Sequence, residues 1–432
     1  MGHTIVEKII AAHAARDEVW PGEFVDVDLD IVMANDVTAP LAIREFRKLG
    51  IDRVWDPDRV VLVGSHFVPA KDIAAAQNMK EMREFAREEG IVHFFDAGKG
   101  GIEHALLPEE GLVAPGEILA GGDSHSNTYG GIQCLGAGFG STDIAIAMAT
   151  GKTWMKVPPT VKAVFSGKRR PWVTGKDLIL RLLGEIGVEG ANYQSVEFHG
   201  DTLRDLPIYE RFTMANMTTE AQSKCGLFFV DELTLDYVRP RVKRPFTYYE
   251  PDPDAQYARV VEIDISRLEP QVAVPFLPSN TMDIAEAAGT ELDQVFIGSC
   301  TNGWLPDVRV AAEVMRGHKV HPRVRCVVIP ATQQIYVDAL KEGLIEVFAE
   351  AGAAVTAGSC GPCLGGYFGV LAAGEKAAST SNRNFPGRMG HRTAEVFLMS
   401  PAMAAAAAVL GHVPHPDEVE ALVGEKTPVG QA

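Results

Sequence analysis

The sequence predicts an α/β fold with parallel sheets, and three observations carry that reading. Apolar runs at Val60 to Gly64, Glu117 to Ala120, Ala258 to Ile265 and Arg325 to Ile329 read as buried strands. Helical stretches at Asp72 to Glu89, Leu305 to Arg316 and Gln333 to Ala351 alternate with them, the order expected of βα units. Two further short apolar runs, Gln294 to Gly298 and Ala353 to Ala357, each lead into a Gly-Ser-Cys loop. Their cysteines should therefore emerge at strand carboxyl ends, where open α/β sheets put their chemistry.

From the N-terminus, residues 1–15 carry Glu7 and Lys8 inside a helical pattern of Ile5, Ile9 and Ile10, which is not a signal peptide. Met-Gly opens the chain, but position 6 is Val rather than Ser or Thr, so the myristoylation pattern fails. The run Gly136-Ala137-Gly138-Phe139-Gly140-Ser141 invites a dinucleotide-binding reading. Ser141 replaces the third glycine, no clear strand precedes the run, and Thr142-Asp143 reads as an ordinary helix start, so tight packing beneath a loop is preferred. Prolines at 240, 245, 251, 253, 270, 275 and 278 make Pro240 to Asn280 the clearest linker, with a softer break at Pro158-Pro159. Three domains are expected, at 1–158, 159–283 and 284–432. The longest apolar run, Ala402 to Leu410, is too short to span a bilayer. Lys plus Arg total 40 against 57 Asp plus Glu, and the formal charge of -17 disfavours nucleic acid and anionic membranes as partners. A small substrate and a soluble, cytoplasmic protein are expected.

The chemistry is concentrated in three of the six cysteines. Cys300 sits in Ile297-Gly298-Ser299-Cys300-Thr301-Asn302-Gly303, and Cys360 and Cys363 sit in Ala357-Gly358-Ser359-Cys360-Gly361-Pro362-Cys363-Leu364-Gly365-Gly366. Cys-Gly-Pro-Cys alone is also the dithiol of thioredoxin-like proteins, and Cys-x-x-Cys with distant ligands can hold zinc. The motif lies far down a long chain, lacks a preceding Trp and has a second Gly-Ser-Cys 60 positions upstream, all against a dithiol; no second close pair is present for zinc. The preferred reading is one 4Fe-4S cluster per chain. Three thiolates on a four-iron cubane leave one iron open, which makes a Lewis acid for substrate. Cys134, Cys225 and Cys326 lie in apolar or mixed surroundings and read as packing residues of a reducing compartment.

Four segments carry a resemblance: Gly122-Asp123-Ser124-His125-Ser126, Asn216-Met217-Thr218-Thr219-Glu220, the cysteine loops, and Ser381-Asn382-Arg383-Asn384-Phe385-Pro386-Gly387-Arg388. In content and order the chain resembles the large subunits of the aconitase superfamily, in the 3-isopropylmalate dehydratase and homoaconitase branch. The resemblance implies three aconitase-like α/β domains around an iron–sulfur cluster, with the swivel domain absent. It implies a hydro-lyase that dehydrates and rehydrates a small anionic hydroxy di- or tricarboxylate. The leading candidate is 2-isopropylmalate, with homoaconitate or 2,3-dimethylmalate chemistry as alternatives.

Dehydration of a 2-hydroxy acid needs a Lewis acid and a proton donor for the departing hydroxyl, a clamp for carboxylates, and a base for the proton. By resemblance, Cys300, Cys360 and Cys363 hold the cluster, and Asp123 and His125 contact the water or hydroxyl at the open iron. Asn216 and Glu220, four apart in a helix-like stretch and so on one face, are placed beside the cluster by the same resemblance. His104 joins the proton network, and His66 protonates the leaving hydroxyl. The family usually has Asp before that histidine, whereas this chain has Ser65, whose hydroxyl can orient the ring but brings no charge. Arg383 and Arg388 offer guanidinium forks for carboxylates, and the resemblance assigns them to substrate with Asn382, Ser124 and Asn35. No matched motif supplies the base. In fused members a fourth, swivelling domain brings a catalytic serine and further arginines. This sequence stops soon after the third expected domain, and its last 20 residues are polar. A small swivel-domain subunit supplying the serine is therefore expected. From other classes, a cluster-free RNA-binding regulator is disfavoured by the retained cysteines and by the charge of -17, and a Cys-Gly-Pro-Cys reductase remains an alternative.

Overall fold

The computed structural model describes residues 2–424. They form two compact units, each assembled from separated stretches of chain: the first from the chain up to Ala97, Leu106–Gly167 and Glu189–Asp264, the second from Gly98–Ala105, Lys168–Val188 and the chain from Ile265 on. The break after Asp264 falls inside the expected proline-rich linker. The softer break at Pro158-Pro159 separates two strands, Lys152–Lys156 and Thr160–Ser166, of the first unit. The C-terminal stretch expected to be polar continues past residue 424, outside the described residues; before that point it forms the helix Pro416–Val423 with Val419 buried.

The first unit contains a five-stranded parallel sheet in the order His93–Phe95, Val60–Val63, Ile31–Asn35, Ile118–Gly121, Leu135–Gly138. Ile31–Asn35, Val60–Val63 and Ile118–Gly121 are buried at every position, as expected of parallel strands covered on both faces. Phe46, Met82, Phe85 and Met148 from the helices Ala39–Lys48, Ile73–Glu89 and Ser141–Thr150 pack with Val32, Leu62 and Ile118 in one core. A second parallel sheet runs Cys225–Leu227, Ser195–His199, Thr160–Ser166, Arg259–Asp264. Arg259–Asp264 is the strand expected to be buried at 258–265, yet it exposes one face because it lies at the sheet edge. The glycine run at 136–141 packs tightly beneath the loop as expected, a Cβ on Gly136 lying 2.1 Å from the Ser126 carbonyl oxygen, although its first part, Leu135–Gly138, is a strand that was not foreseen. Close packing therefore accounts for that glycine.

In the second unit, seven strands run in the order Thr281–Asp283, Gln271–Ala273, Glu395–Leu398, Lys376–Ser379, Gln294–Ile297, Arg325–Val328, Ala354–Val355. The last five are mutually parallel and the first two are antiparallel additions. The helix expected over 333–351 divides into Gln333–Lys341 and Leu344–Ala351 because Gly343 takes a left-handed φ of 73° between them. Among the described residues no helix is long and apolar enough to cross a membrane; the apolar run near residue 402 lies in the buried helix Pro401–Leu410.

The helix Ile208–Met217 is held by a fully buried arginine. Arg211 forms a two-pronged pair with Asp231 at 2.9 and 2.7 Å and donates to the carbonyl oxygens of Leu203, Arg204 and Leu206. Burial alone would raise the Asp231 pKa, but the hydrogen bonds from Arg211 and Thr234 outweigh it and hold the carboxyl below its ordinary value. The variant Arg211→Met would strand several acceptors without a donor. It is expected to destabilise the chain by about 3–5 kcal/mol, read as a lowered thermal unfolding midpoint.

Candidate active site

Both groups of predicted residues lie where parallel strands end. In the first unit, Ile31–Asn35, Val60–Val63 and Ile118–Gly121 run parallel as neighbours and lead to Asn35-Asp36, Ser65-His66 and Asp123-Ser124-His125. Asp123 is the N-cap of a 3-10 helix, Ser124–Ile132, and its Oδ1 accepts from the His125 N–H at 2.8 Å. Capping does not leave His125 at the surface: its Nε2 lies 2.8 Å from Glu220 Oε1 with both side chains buried. A proton between those atoms belongs on Nε2, which leaves Nδ1 facing Ser124 Oγ at 3.4 Å and Asp123 Oδ1 at 3.7 Å.

Asn216 and Glu220 do not share one α-helical face, because the α-helix ends at Met217 and Thr218–Ala221 winds as a 3-10 turn. Asn216 is buried and donates to Thr128 Oγ1 at 2.7 Å; Thr128 donates to the His125 carbonyl oxygen at 2.7 Å. Asn35 supports the same loop, its Nδ2 reaching Asp123 Oδ2 at 3.4 Å while its Oδ1 accepts from Val37 and Thr38. Ser124 is exposed and, with Asp123, Asn127, Phe139, Thr219 and Lys224, lines a cavity of about 300 Å³.

His66 is buried, and Ser65 in place of the usual Asp is resolved by its neighbours. Ser65 Oγ lies 2.8 Å from His66 Nδ1 and 3.5 Å from Asp36 Oδ1. The Asp36 carboxylate accepts the backbone N–H groups of Ser65, His66 and Phe67 at 2.8, 2.8 and 2.7 Å and stands 3.9 Å from His66 Nδ1. A carboxylate is thus present behind the ring, relayed by the serine and supplied by another strand end. With Nδ1 directed at Ser65, Nε2 faces the other way, 3.8 Å from Asp123 Oδ2. Sequence reasoning missed Asp36, although it is the next residue after Asn35.

In the second unit the cysteine loops follow strands as expected, although the one at 353–357 is reduced to Ala354–Val355. Gly298, with φ 154°, passes so close to Ile329 that a Cβ would lie 2.6 Å from its carbonyl oxygen, and Ser299 follows with a left-handed φ of 78°. These two turns aim Cys300 back over the strand end. The three thiols converge. Asn382 Nδ2 reaches Cys300 Sγ at 3.4 Å, and Cys363 Sγ donates to Asn382 Oδ1 at 3.6 Å. Ser299 Oγ lies 3.7 Å from Cys300 Sγ and 3.8 Å from Cys363 Sγ, and Arg388 Nη2 reaches Cys363 Sγ at 4.0 Å. The hydrogen bond with Cys363 and burial push the Cys360 thiol well up, and the nearby Cys363, Cys300 and Glu103 add to the rise. Three soft donors gathered side by side fit a site for a sulfur-bound metal group, whose own charge would favour the thiolate form.

The segment 98–105 packs beside them: Ile102 N donates to Ala331 O, Gln333 N donates to Gly100 O, and a Cβ on Gly358 would lie 2.9 Å from the Thr332 backbone. His104, which is buried, and Glu103 are thereby fixed in the unit that carries the cysteines, with His104 Nε2 3.8 Å from Glu103 Oε1. Arg383 is half-buried on the loop between Asn382 and Arg388. A lysine that sequence reasoning did not single out, Lys176, has no exposure and reaches Asn302, Thr380 and Ser381. Burial lowers its pKa to about 7, against the opposing pull of Asp307, Cys300, Asp177 and Cys363. In contrast, Cys134, Cys225 and Cys326 are buried free thiols raised chiefly by burial, the last two to about 12.

Residues 7–411 match the model of the Aconitase family (aconitate hydratase). The chain belongs to the aconitase family. It is 56% identical over 420 residues, 97% of this chain and 100% of the relative, to a 3-isopropylmalate dehydratase large subunit of Syntrophus aciditrophicus (strain SB). It is equally 56% identical over 424 residues, 97% of this chain and 98% of the relative, to the protein of that name from Aquifex aeolicus (strain VF5). Among solved structures, the crystal structure of Thermococcus kodakaraensis aconitase X (holo-form) shares the fold with a TM-score of 0.50 at 15% identity, covering 99% of this chain and 100% of that one. Family membership makes the chain a hydro-lyase and implies an iron–sulfur cluster, for which the three convergent thiols are suited.

The Asp36 relay yields a direct prediction. Removing the serine hydroxyl in Ser65→Ala should lower kcat by about tenfold with little change in KM, because ring orientation rather than binding is lost. Asp36→Asn, which leaves one acceptor oxygen for three backbone donors, should cost more. Steady-state kinetics of both variants check this.

Proposed function

We propose that this chain is the large, cluster-bearing subunit of a 3-isopropylmalate dehydratase, interconverting 2-isopropylmalate and 3-isopropylmalate in leucine biosynthesis. The observation that carries the reading is the convergence of Cys300 and Cys363 on Asn382, with Cys360 against Cys363, in a chain 56% identical to large subunits of that name. The cysteines would hold one 4Fe-4S cluster, which supplies a Lewis acid for the substrate hydroxyl when bound.

For that reaction the chain's own side chains divide the work. His66 presents Nε2 as the proton carrier while Ser65 and Asp36 fix the opposite edge of its ring. His125, with its Nε2 proton held by Glu220, and Asp123 steady the hydroxyl as it leaves. Asn216 and Asn35 hold those groups through Thr128 and Asp123. His104 completes the proton network. Arg383 and Arg388 engage substrate carboxylates, with Asn382 and Ser124 as hydrogen-bonding neighbours. The proton next to the carboxylate goes to a serine of a small partner subunit, in keeping with the large-subunit names of the relatives.

Three outcomes are expected. Anaerobically reconstituted chain should contain about four irons and an equal amount of sulfide per chain, and Cys300→Ser, Cys360→Ser or Cys363→Ser should each abolish activity. Arg388→Lys should lose about 10- to 100-fold in kcat/KM, because an ammonium cannot reproduce the two-pronged fork. Hydration of isopropylmaleate should require the small subunit; full turnover by this chain alone would overturn the two-subunit assignment.

A further inference from the structure

Lys176 is the second residue of the helix Gly175–Ile186 and has no exposure to solvent. A buried ammonium is costly unless acceptors and opposite charge surround it. Its Nζ donates to the carbonyl oxygens of Thr380 and Ser381 at 2.8 and 2.6 Å and to Asn302 Oδ1 at 3.4 Å, three neutral acceptors. The Asn302 amide continues the chain by donating to Asp307 Oδ1 at 3.3 Å. Each acceptor belongs to a loop that serves the cysteines. Asn302 closes the short helix Ser299–Asn302 that carries Cys300, and Thr380-Ser381 lead directly into Asn382, whose side chain touches the sulfurs of Cys300 and Cys363.

We propose that Lys176 is a positioning residue for the cluster, providing the buried counter-charge to the thiolates of Cys300 and Cys363, with Asp307 opposing it through Asn302. The proposal rests on the cluster reading above. Bracing these loops does not in itself require charge, and a glutamine keeps two N–H donors for them. What a neutral side chain cannot supply is positive charge against the loops that carry Cys300 and Asn382, in a buried setting where charges interact far more strongly than in water. Asp307 is the largest attractive influence on Lys176, ahead of Cys300, Asp177 and Cys363, so the lysine is shared between two carboxylates and the sulfurs. Removing Lys176 should make the cluster harder to reduce and looser. Removing the Asp307 charge should do the opposite to the potential.

The test uses the full chain reconstituted anaerobically with iron and sulfide. Wild-type protein that takes up no iron and sulfide defeats the cluster reading and this inference with it. Given a wild-type cluster, redox titrations followed by electron paramagnetic resonance are run on Lys176→Gln, Lys176→Met and Asp307→Asn, together with the rate of iron loss to a chelator. The two lysine variants should show a lower reduction potential and lose iron about 10- to 100-fold faster, the usual effect of removing support behind metal ligands. Asp307→Asn should shift the potential upward. A Lys176→Gln protein with wild-type potential and iron retention overturns the proposal, as does an Asp307→Asn shift in the same direction as the lysine variants. If neither lysine variant folds, Asp307→Asn decides alone, and an unchanged or lowered potential refutes the inference.

Discussion

Three thiols, those of Cys300, Cys360 and Cys363, are buried together in the second unit, and the loops around them are shaped by that crowding. Burial and neighbouring thiols both resist ionisation, which is why the Cys360 thiol stands so far above its ordinary value. The answer is built from geometry first. Neighbouring parallel strands, Lys376–Ser379, Gln294–Ile297 and Arg325–Val328, with Ala354–Val355 beside them, bring separate loops to one edge. Donors are then gathered on the sulfurs: the amide of Asn382, the hydroxyl of Ser299 and the guanidinium of Arg388. A turn without a Cβ at Gly298 permits the close approach to Ile329 on which this gathering relies.

The first unit solves a different problem by the same construction. The residues proposed for its acid–base work also leave the carboxyl ends of parallel strands, but neutral hydrogen bonds and carboxylates, rather than sulfur contacts, hold them in place. Asp123 caps a helix and receives Asn35, His125 is locked by Glu220, and His66 is backed by Ser65 and Asp36. Ser65 is therefore part of a distributed arrangement, in which its hydroxyl links the back edge of the His66 ring to the Asp36 carboxylate at another strand end.

Much of this was legible in the sequence. Val60, Ile118, Gln294 and Arg325 begin strands within a residue of the expected runs because unbroken β-branched stretches bounded by Gly or polar residues leave few alternatives. The cysteine loops were equally plain, since Gly-Ser-Cys after a strand has few structural uses. What escaped was whatever depended on a partner distant in sequence. Asp36 acquires its role only when strand pairing sets it beside Ser65, 29 positions away, and Lys176 gives no local sign that Thr380 lies 204 positions ahead of it. The division of the helix at Gly343 shows the opposite error, in which apolar periodicity on both sides concealed a single residue with a left-handed backbone. Edge exposure of Arg259–Asp264 likewise follows from sheet order, which composition does not report.

The interleaving of the two units in the chain has a consequence for biosynthesis. The first unit has all its strands once residue 264 has been made, whereas Gly98–Ala105 and Lys168–Val188 belong to a unit whose sheet is completed only by Glu395–Leu398. At ribosomal speeds of about 5–20 residues per second, the segment bearing His104 and the helix bearing Lys176 wait on the order of ten seconds or more without their native neighbours. During that interval a buried lysine and a buried histidine are exposed on a nascent chain, and the cysteines do not yet exist as a site. Loading of the metal group is thus a late event by construction, and a fragment cut near residue 264 would carry two orphaned segments destined for a unit it lacks.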